Sequence, residues 1–212
     1  MAEDASPGPR NGAGLSGAAP RSILGFAARA IAWGIVFFAA WYAAAQPLSL
    51  ATAWCSAQFL KVLAPVDRAH PEWKAPRTAL LVEFDTSTAY QHRLPRGIEY
   101  EVPADALKYT YGIPFFVALL AASRARRLAM KALAGTAVLV VLAAAGLACE
   151  TALTLGTLTD ATGSALWKAG GATATLFALG YQLGTLIFPT VVPAAMWVGM
   201  DGASRGKVIF SA

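Results

Sequence analysis

Two cysteines, two histidines and a few charges beside long apolar runs are the side chains in this chain whose types could do chemistry. Cys55 with His70 or His92 would make a nucleophile and its base, provided the fold brings them within hydrogen-bond reach. Each histidine sits among prolines and charges, a setting that reads as solvated loop. No HExxH, CxxC or phosphate-cradling glycine loop occurs. Serine-based intramembrane proteolysis needs a histidine at membrane depth, and no apolar run contains one. Gly163 and Ser164 read as a turn. No catalytic residue, metal ligand or cofactor site is assigned, and the chain is read as not an enzyme.

The charges next to the apolar runs say the same. Arg29 is close enough to the start of the first run to snorkel to the surface. Glu150 ends the third run, and an intramembrane carboxylate is a functional hypothesis by default; at the edge it reads as a solvated helix-end acid. With no ionisable residue central in any run, a proton relay has nothing to run through. Cys55 and Cys149 fall on one side of the membrane, where a bridge is open to them; two lone cysteines also read as small apolar residues.

The most specific pattern is Gly180, Tyr181, Gln182 and Gly184. Glycines four apart let helix backbones approach closely, and glutamine can hydrogen-bond across helices. That face either packs inside this bundle or docks another membrane protein.

The elements that must position these residues are written in hydropathy. Hydrophobic residues make up 57% of the 212 and charged residues 14%, against roughly 25% charged in a soluble domain. A hydrocarbon core of roughly 30 Å needs about 20 apolar residues per helix. Residues 23–45, 131–149 and 171–199 meet that, and the shorter 109–123 reads alike. The fold class expected is an all-α integral membrane protein of four transmembrane helices.

The basic residues support that count. Arg124, Arg126, Arg127 and Lys131 fill the second connection, while Arg10, Arg21 and Arg29 precede or open the first span and Arg205 and Lys207 follow the last. The segment 46–107 balances six basic residues with seven acids. Positive residues stay cytoplasmic, so both termini face the cytoplasm and 47–103 and 150–170 face out. The net charge of +5 follows the membrane and implies no nucleic-acid partner.

The expected organisation is a disordered start over 1–20, a first span over 21–46, an extracytoplasmic insertion over 47–103, spans two to four over 104–200, and a cytoplasmic tail over 201–212. Ala43, Ala44 and Ala45 before Gln46 resemble a signal-peptidase site, but an apolar run of about 22 residues exceeds the 7–15 of a cleaved signal, so the segment is read as a retained anchor.

In the insertion, Leu48, Ala51, Cys55, Phe59 and Val62 recur at helical spacing, giving an amphipathic helix on the outer leaflet or across the bundle mouth, or else an outward extension of the first helix after a kink at Pro47. Pro65, Pro71 and Pro76 mark a linker. Residues 78–84 and 97–103 read as a small β-hairpin, with Ile98, Tyr100 and Val102 on one face as the candidate partner surface. A lone hairpin is marginal in water, so it must lean on a neighbour. Pro189 and Pro193 supply a bend in the long last run.

Two motifs carry a resemblance: Tyr-Thr-Tyr-Gly-Ile-Pro at 109–114, and Gly-Tyr-Gln-Leu-Gly, Leu-Ile-Phe-Pro and Pro-Ala-Ala-Met-Trp within 180–197. Over about residues 23–200 the chain resembles the exosortase H-associated membrane proteins. The resemblance implies a non-catalytic accessory in a bacterial inner membrane, partnering an exosortase, the transpeptidase that processes proteins with a C-terminal sorting signal. The alternative is a small-molecule or lipid-handling subunit, with Tyr111, Tyr181 and Gln182 lining a cavity between helices. A roomy polar gap near Tyr181 would favour that alternative; tight packing there would favour the accessory.

Overall fold

The computed structural model describes residues 19–202, apart from 75–76, 93, 95–96 and 161. The predicted disordered start, up to residue 18, and the tail from residue 203 lie outside the described residues. What is described is mostly helical, with one small sheet.

The first helix, α1 (Ala19–Ala43), runs antiparallel to a short pair, α4 (Leu107–Thr110) and α5 (Gly112–Ala122). Two hydrogen bonds pin the ends. Arg29 Nε donates to the carbonyl of Ala122 at 3.2 Å, and Trp41 Nε1 donates to Thr110 Oγ1 at 3.2 Å. Arg29 thus satisfies one of the open carbonyls at the end of α5, where a cation also suits the helix dipole. Leu24, Ile31 and Ile35 stay exposed along α1, as lipid contact requires.

Only Ala44 separates α1 from α2 (Ala45–Leu63), and Pro47 falls in the first turn, where its missing N–H costs nothing. The stripe α2 buries in the protein is a second one, of small residues, beside the apolar stripe. Ser49, Thr52, Ala53, Ser56, Ala57 and Leu60 are buried against α6 (Leu128–Leu155) and the sheet. Small side chains let the two backbones come close, and Thr52 spends its hydroxyl on the carbonyl of Leu48 at 2.9 Å. Ala51, Trp54, Phe59 and Val62 are left outward.

The helix α6 is the spine. Its 28 residues span about 42 Å at 1.5 Å per residue, roughly 12 Å more than the hydrocarbon core. That surplus projects beyond the bundle and, with α2, carries the sheet. Leu147, Ala152 and Leu155 of α6 share one core with Leu60 of α2 and with Leu80, Val82 and Val102 of the sheet.

The sheet has three strands in the order β1-β2-β3, all antiparallel: β1 (Val66–Lys74), β2 (Arg77–Phe84) and β3 (Tyr100–Ala104). A strand therefore replaces most of the predicted linker. Pro71 is tolerated because β1 is an edge strand with a free side for a residue lacking an N–H. The pairing slips between Val66 and Arg68, leaving Asp67 opposite no residue of β2. Asp67 and Arg68 both face solvent between buried Val66 and Ala69, which destroys the period-two pattern. A short helix, α3 (Thr86–Gln91), follows β2, its first turn capped by Asp85, whose carboxylate accepts from Thr88 N at 2.8 Å.

A tight turn joins α5 to α6. Ala125 N donates to the carbonyl of Leu120 at 3.1 Å and Arg124 N to that of Ala121 at 3.0 Å, closing the helix end with Arg124 at φ 52°. Arg127 also has positive φ, at 58°.

The last run comprises α7 (Gly171–Gln182), a π-helical turn over Leu183–Ile187, and α8 (Val191–Trp197), and it bends by 58° between Ile187 and Val191. The bend falls at Pro189, as predicted. By length and composition, Leu24–Ala43 and Leu128–Leu155 can each cross a membrane, and the bent pair makes a third if it counts as one span. Leu107–Ala122 is apolar but, at about 24 Å as straight helix, short of a full crossing.

Candidate functional site

Three helices meet at one polar cluster. Lys108 and Tyr109 come from α4, a single turn that sets them side by side. Glu150 comes from α6, more than a turn before its end, so it is not the solvated helix-end acid expected. Its carboxylate is bonded on both oxygens: Lys108 Nζ donates to Oε1, and the Tyr109 hydroxyl donates to Oε2 at 2.9 Å. The ammonium also lies 5.4 Å from the ring centre of Tyr109 and 5.6 Å from that of Tyr181 on α7. Cation–π contact and ion pair therefore hold one lysine between three helices. Lys108 and Glu150 are only 34% and 23% exposed. With both charges compensated, the cluster works as a pin and not as a free acid or base. Lys108 bonds inward, to the Glu150 carboxylate.

Beneath the pin, the π-helical turn after α7 touches α6 backbone to backbone. A Cβ at Gly184 would stand 2.8 Å from Gly146 Cα and 3.0 Å from Tyr109 Cε1. One at Gly180 would stand 2.5 Å from Cys149 Sγ. The structure therefore places Gly180 and Gly184 against α6 of the same chain, leaving Tyr181 half-buried beside Lys108 and Gln182 exposed. Tyr111 lies elsewhere, its hydroxyl donating to the carbonyl of Thr185 at 3.2 Å.

The outer residues divide as well. Val102 is 1% exposed and belongs to the core. Tyr100 stacks edge-on against Phe84 with ring centres 5.4 Å apart, and burial pushes its hydroxyl above the ordinary value. Ile98, 38% exposed, precedes β3. Ile98 and Tyr100 line an open groove of about 460 Å³, together with Asp67, Glu83, Phe84 and Tyr90. A second groove, about 280 Å³ and lined by Phe38, Tyr111, Phe115, Pro189, Thr190 and Ala194, opens at the bend of the last run. Neither groove is lined by Tyr181 or Gln182.

The histidines part company. His70 is exposed, 3.9 Å from Glu99. His92 is mostly buried, its Nδ1 3.0 Å from Asp160 Oδ2 in the loop after α6. Asp160 also accepts from the Thr162 hydroxyl at 2.6 Å and from the backbone N–H groups of Thr162 and Ser164. The hydrogen bonds from Thr162 and then His92 hold its carboxyl well below the ordinary range. The pair ties the end of α3 to the outer loop. Cys55 and Cys149 are both free and half-buried. Among the described residues, no three histidine, cysteine or acidic side chains gather as metal ligands would.

Comparison with known proteins adds one finding. A family profile described as exosortase H-associated membrane protein matches residues 20–204, nearly the whole chain. No curated protein and no solved structure matches it. The helices that can cross a membrane, the three-stranded sheet and the two tyrosine- and glycine-bearing motifs all fall within the matched residues, and the chain belongs to the exosortase H-associated membrane protein family.

Proposed function

We propose that this protein is a non-catalytic accessory of the bacterial inner membrane, working beside an exosortase-type sorting transpeptidase. It crosses the bilayer four times, with both termini and the Arg124–Arg127 turn in the cytoplasm and the sheet outside. The short Leu107–Ala122 segment is the second span; its two pins to α1 support this, because a helix held along a full span shares that span's depth. Mismatch of a few Å is accommodated by local thinning of the bilayer.

One observation carries the reading. The water-facing sheet is fused to the outer ends of α2 and α6 through a single apolar core, so it is held at fixed height and orientation over the bundle. A rigid platform suits presenting a surface to a neighbour in the same membrane. The outward stripe of Trp54, Phe59 and Val62 on α2 lies on the outer leaflet and steadies that platform. Tight packing of Gly180 and Gly184 around Tyr181 supports the accessory over the cavity-bearing alternative. The alternative keeps one support, the apolar groove at the Pro189 bend, which has the lining of an acyl-chain site.

The test is affinity capture of the tagged protein from its native membrane after mild cross-linking. Recovery of the exosortase well above an unrelated four-span control is expected. An exosortase recovered only at control level, with the tagged protein intact, would remove the accessory role.

A further inference from the structure

The outer groove has a chemistry of its own. Its lining includes the aromatic and aliphatic side chains of Phe84, Tyr90, Tyr100 and Ile98. Two carboxylates, Asp67 and Glu83, stand at its rim. The irregularity in β1 is what brings them to one side. A regular strand would send Asp67 and Arg68 to opposite faces; the bulge turns both to solvent, and Arg68 lies opposite Glu83 on β2. Bulges characteristically re-aim side chains in this way. Tyr90, 87% exposed, leaves its ring open to an incoming side chain.

We infer that this groove docks a short, extended stretch of a partner protein in which an arginine or lysine is flanked by aliphatic or aromatic residues. Its size accommodates two or three side chains. The protein's own Arg68 marks the preference: its guanidinium stands 3.7 Å from the Glu83 carboxylate while the side chain is 76% exposed. An exposed pair of this kind contributes roughly 0–1 kcal/mol, so an incoming cation can displace it. Tyr90 and Tyr100 offer ring faces to the same cation. The inference deepens the accessory reading by giving the received segment a chemistry, and it is tested without the exosortase.

The full chain, in nanodiscs of zwitterionic lipid, is titrated with two blocked, fluorescein-labelled pentapeptides that differ only in carrying arginine or glutamate between two leucines. The anisotropy should show the arginine peptide binding at least tenfold tighter. That preference should vanish in Asp67→Asn combined with Glu83→Gln, surface changes that leave the fold intact, and binding should weaken in Ile98→Ser. Equal binding of both peptides, full binding by the double variant, or equal signal from empty nanodiscs would each overturn the groove assignment. Peptide binding without exosortase capture would leave the groove standing and remove only the accessory role.

Discussion

Substituting Gly184 by alanine adds one methyl group where the π-helical turn of the last run touches α6. The new Cβ would stand 2.8 Å from Gly146 Cα and 3.0 Å from Tyr109 Cε1. Carbon atoms rest at about 3.5–4.0 Å, so one or both helices must give way by roughly 0.5–1 Å. Neither neighbour yields easily: one is backbone, and the other belongs to a ring whose hydroxyl is fixed on Glu150. Overpacking of this kind costs about 1–3 kcal/mol. Gly180→Ala meets the Cys149 thiol, a side-chain tip that can rotate, and Cys149 Cβ only at 3.3 Å, and should cost less. Gly34→Ala on α1 meets nothing within 4 Å and should be neutral or slightly stabilising, because alanine favours a helix by about 1 kcal/mol over glycine. In a protein with Cys55 replaced by alanine, the rate at which a maleimide reaches half-buried Cys149 in detergent, read against temperature, reports on the contact between α6 and the last run. The expected midpoints fall in the order Gly34→Ala, Gly180→Ala, Gly184→Ala. A Gly184→Ala protein as stable as the Gly34→Ala control would refute the packing argument.

Three other perturbations follow from the same geometry. Glu150→Ala strands the Tyr109 hydroxyl and the Lys108 ammonium, at a cost of about 2 kcal/mol, and adding Lys108→Met should recover part of it, which a double-mutant cycle on the detergent-solubilised protein would measure. Asp160 is a carboxylate whose folded-state pKa lies below its ordinary 3.8, so its contribution is complete at neutral pH and is lost as pH falls below that value; proteolytic nicking of the loop should stay low down to about pH 4 and rise below it, as linkage of a lowered carboxyl pKa requires, and Asp160→Asn should be nicked readily at every pH. Arg124→Gly relieves a left-handed residue that costs roughly 1–2 kcal/mol, offset in part by glycine's freedom in the unfolded chain, so thermal stability should hold or rise.

Hydropathy made the long helices and the bend at Pro189 legible, since the bilayer rewards apolar length directly. One face it left open and one stretch it misread. In α2 the apolar stripe of Leu48, Ala51, Cys55, Phe59 and Val62 was read as meeting the outer leaflet or the bundle mouth; Ala51, Phe59 and Val62 do face outward, and what went unread is that Ser49, Thr52 and Ser56 pack on α6. Beside a membrane, close approach of small side chains competes with apolar burial, and the outward stripe has lipid to meet. In β1 the proline at position 71 and the bulge at Asp67 together erased the strand's alternation, so the stretch read as linker.

The candidate site was half visible. The glycine spacing around Tyr181 pointed to a close helix contact, and Gly146 on α6 is its counterpart. Glu150 was noticed, but its partners lie 42 and 41 residues away on α4, a distance at which no local pattern speaks. His92 and Asp160 are 68 residues apart and escaped for the same reason. The face of Ile98, Tyr100 and Val102 was read as one surface from simple alternation. Val102 instead completes the core with Leu80 and Val82, while its two neighbours turn toward the groove.

The account rests on a bilayer lying between the outer sheet and the Arg124–Arg127 turn. Single cysteines placed at Tyr90 and at Arg126, each with Cys55 and Cys149 replaced by alanine, can be challenged in intact cells with a membrane-impermeant maleimide. The account predicts labelling at position 90 and none at 126 until the membrane is permeabilised. Labelling at 126 in intact cells, or protection of 90, would contradict it.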